Sequence, residues 1–182
     1  MTATLLIVDI QNDYFPGGKN ELVGSLPAAE HARRLLDAFR RARLPIVFMQ
    51  HIAIRPGATT FLPGTPGAEI HPLIQPRQGE TVIQKHYPNS FRDTPLLEHL
   101  HQLGTSRLMI AGMMTHMCVD AAVRAAVDLG FECLVAADAC ATKDLVFGEQ
   151  LVPAAHVHAA FLAALNAGYA RVLGTDELLE LI

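Results

Sequence analysis

Short apolar runs alternate with helical patterns along this chain of 182 residues. The apolar runs are continuous and rich in Leu, Ile and Val, as strands are when both faces of a sheet are covered. The helical patterns between them repeat apolar residues every three or four positions. This order of elements favours a parallel sheet with helices on both faces, so we predict one α/β domain over residues 1–182.

The patterns predict six strands and five helices. The strands are residues 3–10, 44–51, 80–86, 106–112, 131–139 and 170–174, and the helices are residues 27–42, 94–104, 119–130, 153–168 and 175–182. Residues 52–79 interrupt this order, because they are rich in Pro and Gly and show no periodicity. A loop of this length inside a small domain usually has a function. Both a lid and an interface arm fit it.

Composition argues against several classes of protein. The net charge is −4 and the arginines of residues 33–43 lie on a predicted helix, so we expect no nucleic-acid partner. No apolar run reaches the roughly 20 residues of a membrane helix, and the N-terminus lacks a signal-peptide pattern. We therefore expect no membrane partner and a cytoplasmic location. Three cysteines without a CxxC spacing argue against a disulfide framework and a zinc cluster, so Cys133 and Cys140 are expected in the core.

Reactive side chains follow three of the predicted strands. Asp9 ends the first strand, Lys85 ends the third, and Cys118 follows the fourth at the start of a helix. The carboxyl ends of parallel strands share one edge of a sheet, where ligands bind. A helix N-terminus and an ammonium group both lower the pKa of a thiol, so we expect Cys118 to be an activated nucleophile. Asp9 would take the thiol proton and pass it to a leaving amine, while Lys85 holds both groups electrostatically.

Each of these residues also has a simpler interpretation. A strand-end Asp often caps a loop, a strand-end Lys often faces solvent, and a free Cys often packs as a small core residue. Their joint occurrence favours a hydrolase that works by acyl transfer. A binding or scaffold protein without catalysis, and a redox protein with Cys118 as its sensor thiol, are the alternatives.

Three motifs carry a resemblance to a known family. They are LLIVDIQNDYFPGG at residues 5–18, QKHYPNSF at residues 84–91 and IAGMMTHMCVDAAVRAAVDLGF at residues 110–131. Through them the chain resembles the isochorismatase-like cysteine hydrolase superfamily, which includes nicotinamidases and N-carbamoylsarcosine amidohydrolases. The resemblance implies a three-layer α/β/α fold with a six-stranded parallel sheet and a catalytic triad of Asp9, Lys85 and Cys118. It also implies homo-oligomers, as dimers or larger assemblies.

The resemblance implies further details of this site. The peptide bond between Met113 and Met114 should be cis, and the backbone N–H groups of Met114 and Cys118 should form an oxyanion hole. The family's strand order is 3-2-1-4-5-6, so Lys85 would start two strands away from Asp9. At about 4.8 Å per strand that separation is roughly 10 Å, most of the reach of a lysine side chain.

The resemblance also bears on metals and substrates. Nicotinamidase-type members hold a metal through an Asp-x-His motif after strand two, which residues 49–72 lack. His51, His71 and His86 do not have the spacing of a ligand set, so we expect no metal and no cofactor. True isochorismatases cleave a vinyl ether and lack the cysteine. Cys118 therefore indicates hydrolysis of a C–N bond in a small amide, lactam or ureido substrate.

Several residues near the three motifs are candidates for the substrate pocket. They are Gln11, Tyr14, Phe15, Phe61, Phe91 and His116. Tyr14 matches a position where the family often places an aromatic ring against substrate, whereas the phenylalanines could equally be core residues. Gln11 is expected to orient Asp9 or line the site, and Thr115 to brace the turn before Cys118. Histidines on predicted helices, such as His156 and His158, are expected to be ordinary.

Overall fold

The computed structural model describes residues 2–182, and this part of the chain forms eight strands. They are β1 (Thr2–Val8), β2 (Ile46–His51), β3 (Thr81–Lys85), β4 (Thr105–Met113), β5 (Glu132–Ala141), β6 (Leu145–Phe147), β7 (Gln150–Val152) and β8 (Arg171–Leu173). Six of them form one parallel sheet in the order β3-β2-β1-β4-β5-β8, while β6 and β7 form a separate antiparallel hairpin. The predicted α/β fold and its strand order are confirmed.

Helices cover both faces of the sheet. They are α1 (Ser25–Ala42), α2 (Leu96–Gln102), α3 (Asp120–Asp128), α4 (Ala154–Gly168) and α5 (Thr175–Leu179). Alternate side chains of a strand point to opposite faces: Leu5 and Ile7 pack with α1 and α5, whereas Leu6 and Val8 pack with α2, α3 and α4. Burial on both faces explains why β1 is a continuous apolar run. Within residues 2–182, no helix has the length and apolar character needed to cross a membrane.

The ends of the elements differ from the sequence predictions by a few residues. The first strand ends at Val8 rather than at residue 10, because Asp9 turns the chain with a φ of 50°. The sequence pattern does not reveal the β6–β7 hairpin, whose three-residue strands are too short for a periodic signal. Before α3 the chain forms a π-helical turn, Thr115–Val119, here called the Cys118 turn.

Gly112 allows β4 to approach β1 closely. It pairs with Val8 in the register of the two strands, and its φ is 149°. A Cβ atom at this position would overlap the backbone carbonyl of Val8. The glycine therefore permits contact between the two strands that lead to Asp9 and to the Cys118 turn.

We predict that Gly112→Ala lowers the free energy of unfolding by about 3 kcal/mol, because overpacking forces close-packed neighbours apart. Gly168→Ala is the control, since Gly168 ends α4 and no described atom lies within 4 Å of an added Cβ. That substitution should change stability by no more than about 1 kcal/mol. Denaturant unfolding measures both variants, and equal stabilities would contradict the close contact.

Candidate active site

Asp9, Lys85 and Cys118 come together at the carboxyl edge of the sheet, although each follows or ends a different strand. Lys85 Nζ is 2.7 Å from Asp9 Oδ2, and both side chains are fully buried. Cys118 Sγ lies within 4.8 Å of a carboxylate oxygen of Asp9, and the Cys118 side chain is buried. The lysine side chain therefore bridges the two-strand separation that the strand order imposes.

Other groups surround the ion pair. Lys85 Nζ donates to the carbonyl oxygen of Tyr87 at 3.0 Å and to that of Pro88 at 3.5 Å, and it lies 3.5 Å from His51 Nδ1. Apart from Lys85, neither carboxylate oxygen of Asp9 has a hydrogen-bond partner among residues 2–182. Asp9 therefore keeps lone pairs available to accept a proton beside Cys118.

The protonation state of Cys118 differs from the sequence expectation. Burial raises the pKa of the Cys118 thiol, and the Asp9 carboxylate raises it further, while Lys85 lowers it less than these two raise it. Burial opposes the Lys85 ammonium, but Asp9 and Cys118 outweigh burial and raise the pKa of Lys85. The expectation of a lowered thiol pKa was wrong, because burial and the Asp9 carboxylate outweigh the effect of Lys85 on the pKa of Cys118. The site at rest holds a neutral thiol beside a carboxylate–ammonium pair.

A cavity of about 680 Å³ opens beside Cys118, a size that suits a small molecule. Its lining comes from residues 53–61, from residues 86–88, and from Tyr14, Asn20, His51, Met114, Met117 and Cys118. Burial, together with the nearby Cys118 and Asp9, raises the pKa of Tyr14, so its phenol is neutral at this cavity. Of the six predicted pocket residues, Tyr14 and Phe61 line this cavity.

Asp13 holds the cavity-lining segment in place. Its Oδ2 accepts the Phe61 backbone N–H at 2.6 Å, and its Oδ1 accepts the Lys19 N–H at 3.3 Å. The absence of a side chain at Gly67 leaves room for this carboxylate. Phe61 has a φ of 53° and packs edge-on against Tyr14 with ring centroids 4.8 Å apart. Part of the long segment 52–79 is therefore a wall of the cavity.

Four predicted pocket residues lie outside the cavity lining. Gln11 is fully buried and hydrogen-bonds to the backbone of His51. Its side chain accepts from the His51 N–H at 2.8 Å and donates to the His51 carbonyl at 2.8 Å. Phe15 stacks on His71, and Phe91 packs near Phe131. His116 Nδ1 is 2.6 Å from Thr142 Oγ1. Sequence position near a motif could not distinguish these buried contacts from a pocket wall.

The sequence prediction of the pocket misses most of the cavity lining, including three polar or aromatic residues at strand ends. His51 ends β2, and His86 and Tyr87 directly follow β3. The strand-end rule that identifies Asp9 and Lys85 would have included all three.

His158 on α4 was expected to be ordinary, yet its Nδ1 lies 3.0 Å from Thr115 Oγ1. No signal in the sequence connects two residues that far apart in the chain.

Asp9, His51 and Cys118 are the set that offers metal-ligand atoms within 4.8 Å of one another among the described residues. The Lys85 ammonium lies 2.7 Å from Asp9 Oδ2 and 3.5 Å from His51 Nδ1, between two of the three candidate ligands. A metal ion there would be repelled by this cation, so the residues do not fit a metal centre.

The Cys118 turn has the backbone that the resemblance implies. The Met113–Met114 peptide bond is cis, and Met114 and Cys118 both line the cavity. Thr115 braces this turn, because its Oγ1 donates to the Ala141 carbonyl at 3.2 Å. The oxyanion hole stays a prediction.

Asp138 accepts hydrogen bonds from the N–H and hydroxyl groups of Thr175 at the start of α5, which gives Asp138 a structural role.

We predict that the Cys118 thiol of the free protein is protonated at neutral pH. Asp9→Asn should lower its pKa by removing a neighbouring negative charge, and Lys85→Met should raise it by removing a positive one. Thiolate absorbance against pH, corrected with a Cys118→Ala variant, measures both shifts. Burial raises the pKa of Cys133 and of Cys140 to about 12, so these two thiols add little signal near neutrality. A Cys118 already ionised at neutral pH would contradict the prediction.

Comparison with known proteins identifies the family. A model of the isochorismatase domain matches residues 3–177. The isochorismatase family protein YddQ of Bacillus subtilis (strain 168) is 49% identical over 99% of this chain and 100% of its own length. The crystal structure of an isochorismatase hydrolase from Oleispira antarctica has a TM-score of 0.95 at 52% identity, covering 98% of this chain and 96% of that chain. Nicotinamidase 3 of Arabidopsis thaliana is 29% identical over 97% of this chain and 86% of its own length. The chain therefore belongs to the isochorismatase family of hydrolases.

Proposed function

We propose that this protein hydrolyses a C–N bond of a small amide, lactam or ureido compound through a thioester on Cys118. The observation that carries the proposal is the position of the buried Cys118 thiol beside the buried Asp9–Lys85 pair at the cavity wall. A nucleophile, a base and a cation that positions them are the parts that acyl transfer requires. The related Nicotinamidase 3 is named for an amide substrate.

In the first half of the reaction, Cys118 Sγ attacks the carbonyl carbon of the substrate while Asp9 takes the thiol proton. The raised pKa of the thiol means that proton loss accompanies attack instead of preceding it. The carbonyl oxygen becomes an oxyanion, which we propose is bound by the N–H groups of Met114 and Cys118. Asp9 then gives its proton to the leaving nitrogen, the C–N bond breaks, and a thioester remains.

In the second half, a water molecule attacks the thioester carbon and Asp9 takes its proton. The C–S bond breaks, the acid is released, and the proton returns to Cys118. Lys85 remains an ammonium throughout, since its pKa is raised by Asp9 and Cys118 against the effect of burial. It offsets the negative charge that moves between the thiol and the carboxylate. The proposed reaction uses this ammonium and no metal or other cofactor.

We predict that Cys118→Ala lowers kcat by at least about 10³-fold while the protein still folds, because the attacking atom is lost. Cys133→Ala is the matched control, as it removes a buried thiol that does not line the cavity. Turnover is measured across a panel of small compounds, by ammonia release from primary amides and ureido compounds and by the mass gain of one water on ring opening of lactams. Intact mass during turnover tests for the acyl-enzyme.

Retained turnover in Cys118→Ala would overturn the thioester mechanism. No turnover of any compound by the unmodified protein, together with saturable binding of them, would instead favour a binding protein that retains the fold. Reversible oxidation of Cys118 by peroxide, with no amide turnover, would favour the redox alternative.

We predict that Asp13→Ala raises KM for the best substrate of that panel by about tenfold, because it removes the acceptors that hold Phe61 at the cavity. That loss corresponds to roughly 1.4 kcal/mol, close to the lower limit for a hydrogen bond to a charged group. Asp13→Asn keeps an oxygen that can accept the Phe61 N–H, so its KM should lie between those of the unmodified protein and Asp13→Ala. Steady-state kinetics separate KM from kcat, and an unchanged KM in Asp13→Ala would contradict this role.

A further inference from the structure

The back of the Cys118 turn is tied to α4 and to the end of β5. Thr115 is fully buried, and its hydroxyl lies 3.2 Å from the Ala141 carbonyl and 3.0 Å from His158 Nδ1. A hydroxyl both donates and accepts hydrogen bonds, so Thr115 can engage β5 and α4 at once. His158 is half-buried, so part of its ring faces solvent. These contacts connect three separate elements through one threonine side chain.

The next residue of the turn makes a parallel set of contacts. His116 Nδ1 is 2.6 Å from Thr142 Oγ1, and its ring packs edge-on against Phe161 of α4 at 5.9 Å between centroids. Thr115 and His116 therefore contact Ala141 and Thr142 at the end of β5, and both also contact α4. None of these side chains lines the cavity, so they act on the site only through the turn.

The Cys118 turn needs these contacts with β5 and α4, because Cys118 must stay close to Asp9, its proposed base. The Val119 N–H reaches back to the Met114 carbonyl at 3.2 Å, which makes the turn wider than an α-helical one. A displacement of about 1 Å in a reacting group can cost about 10²-fold in rate.

We infer that His158 and Thr115 form a positioning pair that holds Cys118 Sγ against Asp9, an inference that rests on the function proposed above. Thr115 belongs to the Cys118 turn and His158 to α4, and neither side chain lines the cavity. Loss of the pair changes where the thiol sits, while the cavity walls formed by residues 53–61 and 86–88 lie outside the turn. The effect therefore falls on kcat and on the reactivity of Cys118, and not on KM.

The test compares variants that keep or remove the hydrogen bond. Thr115→Val and His158→Leu remove it, whereas Thr115→Ser keeps the hydroxyl and His158→Asn keeps a polar atom near the place of Nδ1. We expect the first two to lower kcat by about 10-fold to 100-fold with KM within about twofold, and the conservative two to restore most of the rate. His156→Leu is the matched control, because His156 is exposed on the same helix.

The double variant Thr115→Val/His158→Leu should be no slower than the slower single variant, since both changes remove the same contact. Additive losses, a change confined to KM, or an unchanged kcat in folded His158→Leu would each overturn the inference. His158 is only half-buried, so its variants decide the question even if Thr115→Val does not fold.

A second measurement needs no substrate. The rate of Cys118 alkylation by iodoacetamide, followed by peptide mass spectrometry, should change in Thr115→Val and His158→Leu, because the thiol moves relative to Asp9, and stay unchanged in His156→Leu. An unchanged rate in both positioning variants would overturn the inference. If the unmodified protein cleaves no amide, the proposed function fails, while this measurement still reports whether His158 positions the thiol.

Discussion

The buried contact between Lys85 and Asp9 sets the rest of the site. Removing two charges from water is costly, and their attraction offsets that cost only where the geometry is close and further hydrogen bonds are made. Lys85 meets both conditions, with Asp9 Oδ2 at 2.7 Å and the Tyr87 and Pro88 carbonyls as further acceptors. Because Asp9 and Lys85 lie on strands separated by β2, their contact also requires the carboxyl ends of three strands to stay aligned.

Burial, reinforced by the Asp9 carboxylate, raises the pKa of the Cys118 thiol. The Lys85 ammonium favours the thiolate, but it lowers this pKa by less than burial and Asp9 raise it, so Cys118 is a neutral thiol. Oxidation by peroxide proceeds through the thiolate and favours exposed, low-pKa cysteines. A buried neutral thiol is poorly suited to a sensor, whereas a base in contact with it suits a nucleophile that loses its proton only as it attacks. The arrangement therefore favours the proposed hydrolase over the redox alternative.

Periodicity and strand topology account for the part of the structure that the sequence predicts. Continuous apolar runs indicate a sheet buried on both faces, and parallel strands bring Asp9, Lys85 and the Cys118 turn to one edge. Side-chain direction is not contained in these rules. Phe15 and Phe61 look equivalent in the sequence, yet Phe15 stacks on His71 while Phe61, held by Asp13, lines the cavity. His158 reaches Thr115 from a helix 43 residues further along the chain, a contact that only the packing of α4 creates.

The cavity lies at the carboxyl edge of the sheet, and hydrogen bonds to the buried side chains of Gln11 and Asp13 hold part of its wall in place. Gln11 grips the backbone at His51 and Ala68, and Asp13 holds Phe61, so both ends of the wall depend on residues directly after β1. The reacting groups, by contrast, are held by the sheet and by the contacts of the Cys118 turn with β5 and α4. Substrate preference can therefore change through residues 53–61 without disturbing Asp9, Lys85 or Cys118.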